Sequence, residues 1–256
     1  MAPEEYNLGQ RCVAEAIGTY ILVFLGPGAA AMTFMLTEEQ KYDSAAEGFY
    51  VGADIAAWFA IGMAFALAIA AAVYIFGHVS GAHINPAVTI ALWADKKFPS
   101  EEVAPYIIAQ SVGAIAASIS FAIIVGDRAA EIGGLGATTK FPGIDDWQAI
   151  FSEAVATFFL MIVIMAVAVD QRKPAAALGG LMIGLIVCVD VIVTGNITGS
   201  SLNPARTLGP YVGNEIFIEG GWVEWDQFYI YVVGPVAGAV IAAWLYDYMV
   251  LKPVGQ

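Results

Sequence analysis

Apolar runs with sparse charge occupy roughly 11–36, 52–76, 103–126, 147–170, 175–194 and 226–250. Each is long enough, at about 1.5 Å per residue, to cross a hydrocarbon core of about 30 Å, so six transmembrane helices are predicted. Two further apolar pieces, 84–94 and 203–212, are too short to span and are predicted as re-entrant half-helices or interfacial segments. Between the runs the polar residues are mostly acids: Glu38, Glu39, Asp43 and Glu47; Asp127, Glu131, Asp145 and Asp146; Glu215, Glu219, Glu224 and Asp226. Glu4 and Glu5 precede the first run, which continues past the roughly 7–15 residues of a signal core. That first span is expected to stay in the protein.

Composition agrees with the pattern. The chain is 59% hydrophobic and only 13% charged, against about 25% charged in a soluble domain, so its solvent is mostly the lipid bilayer. With 256 residues and six crossings, one membrane domain fills the chain, its halves dividing near residue 140. The net charge is −13, and no basic footprint supports nucleic-acid binding. Cys12 and Cys188 lie far apart in apolar runs, which supports neither a disulfide framework nor a metal cluster and points to packing. Arg11, Lys96, Lys97, Arg172, Lys173 and Lys252 fall on one side of a six-crossing layout, and Lys41, Arg128 and Lys140 on the other. Basic residues are retained on the cytoplasmic side, so both termini are expected there and the acidic loops outside.

An internal repeat sharpens this. Gly77-His-Val-Ser-Gly-Ala-His-Ile-Asn-Pro-Ala-Val-Thr89 returns as Gly195-Asn-Ile-Thr-Gly-Ser-Ser-Leu-Asn-Pro-Ala-Arg-Thr207, and Ala14-Glu15-Ala-Ile-Gly-Thr19 is echoed by Ser152-Glu153-Ala-Val-Ala-Thr157. Three crossings per half is an odd number, so the second copy enters the membrane inverted. The fold class expected is therefore all-α: six transmembrane helices and two re-entrant half-helices in an inverted three-plus-three repeat.

Asn is a preferred helix N-cap and Pro fits the first helical position, so Asn85-Pro86-Ala87 and Asn203-Pro204-Ala205 read as two helix starts. Dipping from opposite faces, the half-helices bring two positive dipole ends together near the midplane, where a cation is repelled by both. Capping occupies each Asn oxygen and leaves the amide nitrogen free to donate to a passing water. Gly81-Ala82-His83-Ile84 and Gly199-Ser200-Ser201-Leu202 are expected to be extended, with carbonyls lining a wet path. Arg206, one residue past the second corner, adds a donor and a cation barrier. His83 should line the cytoplasmic half of that path, and His78 is placed in a loop.

With these corners in opposite halves, His83-Ile84 before one and Arg206 after the other, the chain resembles the aquaporin and aquaglyceroporin family over nearly its whole length, and the archaeal members most closely. The resemblance implies a multi-pass plasma-membrane channel without cofactor or catalysis, assembled as a homotetramer with one pore per subunit. It also implies an aromatic/arginine constriction; carried over by distance from the motifs, this is Phe65, Val191, Ser200 and Arg206. Water-selective members resemble one another in a His where Val191 stands, and glycerol-selective members have two aromatics and a Gly. This ring is intermediate, so water with small neutral solutes such as glycerol, and gases such as carbon dioxide or hydrogen sulfide, are the expected cargo; a strictly water-selective pore is the alternative.

In the family, acids placed as Glu15 and Glu153 are accept hydrogen bonds from the re-entrant loops. Asp190 has no partner in the first half, and another helix, a loop amide and the pore mouth beside Val191 all stay open for it. A secondary transporter is the rival class, since inverted repeats also build transporter sites. Its only coupling candidates here are Asp190, Glu15 and Glu153. Small residues four apart, Gly113 with Ala117, Gly180 with Gly184 and Gly234 with Gly238, are expected at close helix crossings.

Overall fold

The computed structural model describes residues 6–44, 54–172, 176–218 and 223–251, with backbone alone at 38–44 and 176. Glu4, Glu5, Glu38, Glu39, Lys41, Asp43, Glu47, Lys173, Glu219 and Lys252 thus lie outside the described side chains.

Nine α-helices and no strand are found among the described residues: α1 (Leu8–Ser44), α2 (Ile55–Ser80), α3 (Pro86–Ala94), α4 (Ser100–Val125), α5 (Arg128–Glu131), α6 (Asp146–Ile164), α7 (Gly179–Thr198), α8 (Pro204–Phe217) and α9 (Ile230–Tyr246). Helices α6 and α9 each run on into one wider turn, Met165–Val169 and Asp247–Leu251. Among the described residues six helices are long and apolar enough to span a bilayer. Helices α3 and α8 are the two half-helices, begun by the Pro of each Asn-Pro-Ala corner.

Small residues bring the crossings close. A methyl group at Gly113 would run into the carbonyl of Ala16, one at Gly238 into that of Ala154, and one at Gly184 into that of Ala66. The first two are repeat equivalents joining α1 to α4 and α6 to α9; the third joins the halves through α2 and α7. Such approach puts backbone against backbone, which is how spans associate when lipid is as apolar as the side chains. The outer faces keep large apolar groups exposed, among them Ile123, Ile124, Phe151 and Val193.

The start of α1 and the end of α9 share one face, the terminal face. There Arg11 holds Glu102 at 2.5 and 2.6 Å, Lys97 reaches Asp247 at 2.7 Å, and Arg172 bonds both Asp170 and the carbonyl of Val250. The Arg172 side chain and its backbone N–H hold the Asp170 carboxyl well below the usual carboxylate range. On the opposite face Lys140 pairs with Asp146.

One local expectation changes. His78 is not in a loop: α2 continues to Ser80 and stops on Gly81 in the left-handed region, so His78 occupies its last turn.

Candidate functional site

Each corner is held by a buried carboxylate. Both Glu15 oxygens accept: Oε1 from the Ser80 hydroxyl at 2.7 Å and the His83 N–H at 2.9 Å, Oε2 from the Ile84 N–H at 2.6 Å and the Gln110 amide at 2.8 Å. Glu153 repeats the pattern with the Thr198 hydroxyl at 2.6 Å, Ser201 N–H at 2.9 Å and Leu202 N–H at 2.7 Å. Two buried tyrosines close the frame, Tyr106 donating to the carbonyl of Ser80 and Tyr231 to that of Thr198. The sequence reading missed these tyrosines, because a lone Tyr in an apolar span looks like packing; the one available cue was that each stands seven residues before a close-crossing glycine, Gly113 or Gly238.

The frame is needed because the loops are not simply extended as expected. In 81–84, Gly81, Ala82 and Ile84 have φ of 90°, 47° and 45°; in 199–202, Gly199, Ser200 and Leu202 have 77°, 49° and 57°. Left-handed alanine, isoleucine, serine and leucine are costly, of order 1–3 kcal/mol each, and persist where surroundings over-determine them. Buried carboxylates gripping consecutive N–H groups do that.

At the corners, the Asn85 side-chain oxygen accepts from the Ala87 N–H at 2.8 Å, and that of Asn203 from the N–H groups of Ala205 and Arg206 at 3.0 and 3.3 Å. Each amide nitrogen is less free than expected. Asn85 Nδ2 donates to the Leu202 carbonyl at 2.9 Å, and Asn203 Nδ2 to the Ile84 carbonyl at 2.8 Å. One N–H of each amide ties the two loops together, and an amide has two.

A cavity of about 1140 Å³ opens on the terminal face beside Arg11, Lys97 and Pro99 and reaches Phe65 and Arg206. Its walls include Gly81, Ala82, His83, Ile84, Asn85, Ser201, Leu202 and Asn203, with Ile69, Val88, Leu160, Ile183 and Val187 as the apolar side. Gly199, Ser200 and Val191 are not among them. Gly199 caps α7 in the left-handed region, the Ser200 and Thr194 hydroxyls lie 2.8 Å apart, and Val191 is buried in the main apolar cluster. His83 packs against Phe98 and Tyr106, which also touch each other, its Nδ1 3.1 Å from the Thr89 hydroxyl.

Arg206 is 2% exposed. Its Nη1 donates to the Gly136 carbonyl at 2.8 Å and its guanidinium carbon stands 5.2 Å from the Phe65 ring centre. Its Nε has no hydrogen-bond partner among the described residues. Gly136 was missed in the sequence, since nothing in a glycine-rich loop marks which carbonyl an arginine 70 positions away will use. Its φ of 69° and the carbonyl of Pro27 against its α-carbon leave no room for a side chain. Gly136→Ala should therefore lower thermal stability by roughly 1–3 kcal/mol and loosen Arg206. Thermal unfolding in detergent measures the first; a rise in glycerol relative to water permeability reports the second.

The family model described as major intrinsic protein matches residues 4–246. The chain is 55% identical to the probable aquaporin AqpM of Archaeoglobus fulgidus over 244 residues, covering 95% of this chain and 98% of that one. This protein belongs to the major intrinsic protein family. It is also 53% identical to the aquaporin AqpM of Methanothermobacter thermautotrophicus, over 95% of this chain and 98% of that relative. Among solved structures, an aquaglyceroporin from Plasmodium falciparum matches with TM-score 0.80 at 26% identity, over 97% of this chain and 98% of that one. As a major intrinsic protein the chain is a multi-span membrane channel of aquaporin fold, a family that transports water and small solutes.

Proposed function

We propose that the chain is a passive channel for water and small uncharged solutes, glycerol among them, that turns back protons and cations. The observation that carries this is the meeting of two half-helix N-termini, clasped through Asn85 and Asn203, on the wall of an open cavity that reaches Arg206. Two positive dipole ends and one buried guanidinium oppose any cation there. The carbonyls of 81–84 and 201–202 offer acceptors to water and to hydroxyl groups along one wall, and the aliphatic wall faces a carbon backbone.

In this reading Phe65, Val191, Ser200 and Arg206 form the constriction. A ring without a histidine at 191 leaves room for more than water, which supports glycerol over strict water selectivity. The terminal face is then cytoplasmic, since Arg11, Lys97 and Arg172 gather there, and the membrane is the plasma membrane. The same proposal includes a homotetramer, checked by light scattering of the detergent-purified protein.

The test is stopped-flow light scattering on proteoliposomes under sucrose and then glycerol gradients. Both permeabilities should exceed those of empty vesicles; glycerol flux equal to empty vesicles removes the second substrate. Val191→His should cut glycerol permeability by about tenfold and water by much less, because steric discrimination of this size is worth roughly 1–3 kcal/mol.

A further inference from the structure

Among the described residues three carboxylates are buried in the spans, Glu15, Glu153 and Asp190, and their surroundings differ. Glu15 and Glu153 are saturated with donors. Asp190 is 4% exposed, yet its Oδ2 has no hydrogen-bond partner among the described residues. The repeat does not demand an acid there: at the offset that aligns Gly195 with Gly77, Asp190 aligns with Ala72. A scaffold role shared by the halves is therefore excluded.

The helix periodicity places it. Ile183, Val187, Asp190 and Thr194 follow one another at spacings of four, three and four, one face of α7. Ile183 and Val187 line the cavity, and Thr194 touches the Ser200 hydroxyl. Asp190 is bracketed between the last cavity-lining residue of α7 and the residue that reaches Ser200. An unpaired polar atom held in a dry wall is costly unless something completes it; Asp190 lies one turn beyond Val187, where the α7 lining of the cavity ends, on the stripe that leads to Ser200.

We propose that Asp190 is a solute-contacting residue of the constriction, giving the α7 side the polar group that Val191 lacks and hydrogen-bonding small hydroxyl-bearing solutes of the polyol class. This rests on the channel function proposed above. A hydroxyl stripped of water opposite Arg206 meets a carboxyl on this side, while water, being smaller, needs that bond less.

The experiment compares wild type, Asp190→Leu and Asp190→Asn in proteoliposomes, reading the ratio of glycerol to water permeability. Loss of one hydrogen bond to the solute should lower the ratio by roughly fivefold or more in Asp190→Leu, and Asp190→Asn, which can still bond a hydroxyl, should restore most of it. As a second measurement, Asp190→Cys in a chain carrying Cys12→Ser and Cys188→Ala should react with a small water-soluble methanethiosulfonate, with glycerol slowing the reaction. A Leu ratio within about twofold of wild type, an unreactive cysteine, or wild-type glycerol flux equal to that of empty vesicles overturns the assignment. Wild-type vesicles without water flux would instead overturn the channel reading on which it rests.

Discussion

Arg206→Val should turn a tight pore into a leaky one. The guanidinium is the one positive charge of the proposed constriction, 2% exposed and held by Gly136 in front of the Phe65 ring. A unit charge acting at about 4–5 Å through an effective dielectric near 20 is worth roughly 3–4 kcal/mol, so sodium or proton leak should rise on the order of 10²-fold. Glycerol permeability should rise too, since valine is smaller and leaves the ring wider. Electrical recording or a pH-sensitive dye in vesicles measures the leak. A variant as tight to cations as wild type would assign the whole barrier to the half-helix dipoles and leave Arg206 as a steric element only.

Glu153→Leu should be strongly destabilising. It strands the Thr198 hydroxyl and the N–H groups of Ser201 and Leu202 in a dry interior. At roughly 1–3 kcal/mol for each buried donor left unpaired, the loss is on the order of 5 kcal/mol. It also releases the left-handed Ser200 and Leu202. Thermal unfolding in detergent should fall by roughly 10 °C or more, and flux should be lost even where protein is recovered. Glu153→Gln keeps one acceptor but turns an NH2 group toward backbone donors, so it should fall between. A leucine variant melting with wild type would show that Tyr231 and the half-helix hold the loop without the carboxylate.

How much of this was legible beforehand depends on the kind of interaction. The six spans and two half-helices announced themselves because lipid imposes long apolar runs and Asn-Pro imposes a helix start, both local features. Glu15 and Glu153 were legible because the repeat marked them twice. The left-handed residues were not: nothing in Ala-His-Ile or Ser-Ser-Leu signals positive φ, and the conformation is imposed by carboxylates more than 45 positions away. The Gly136–Arg206 bond and the Tyr106 and Tyr231 struts are long-range in the same way. Helix α8 runs to Phe217, past the expected end near 212 and through Pro210, whose carbonyl accepts from the Asn214 side chain at 2.8 Å.

The reciprocal clasp between Asn85 and the Leu202 carbonyl, and between Asn203 and the Ile84 carbonyl, also bears on how the chain is made. When the ribosome has delivered the first three spans, the arm ending in Asn85 has no partner for its amide or for the Ile84 carbonyl, because Leu202 lies 77 positions beyond Val125, the last residue of α4. The first half must therefore wait in the translocon or the bilayer with its re-entrant arm unlocked, and the two arms close together in one late step. Two fragments cut near residue 140 and produced side by side would meet the same requirement: each carries half of the lock, and neither carries a key to itself.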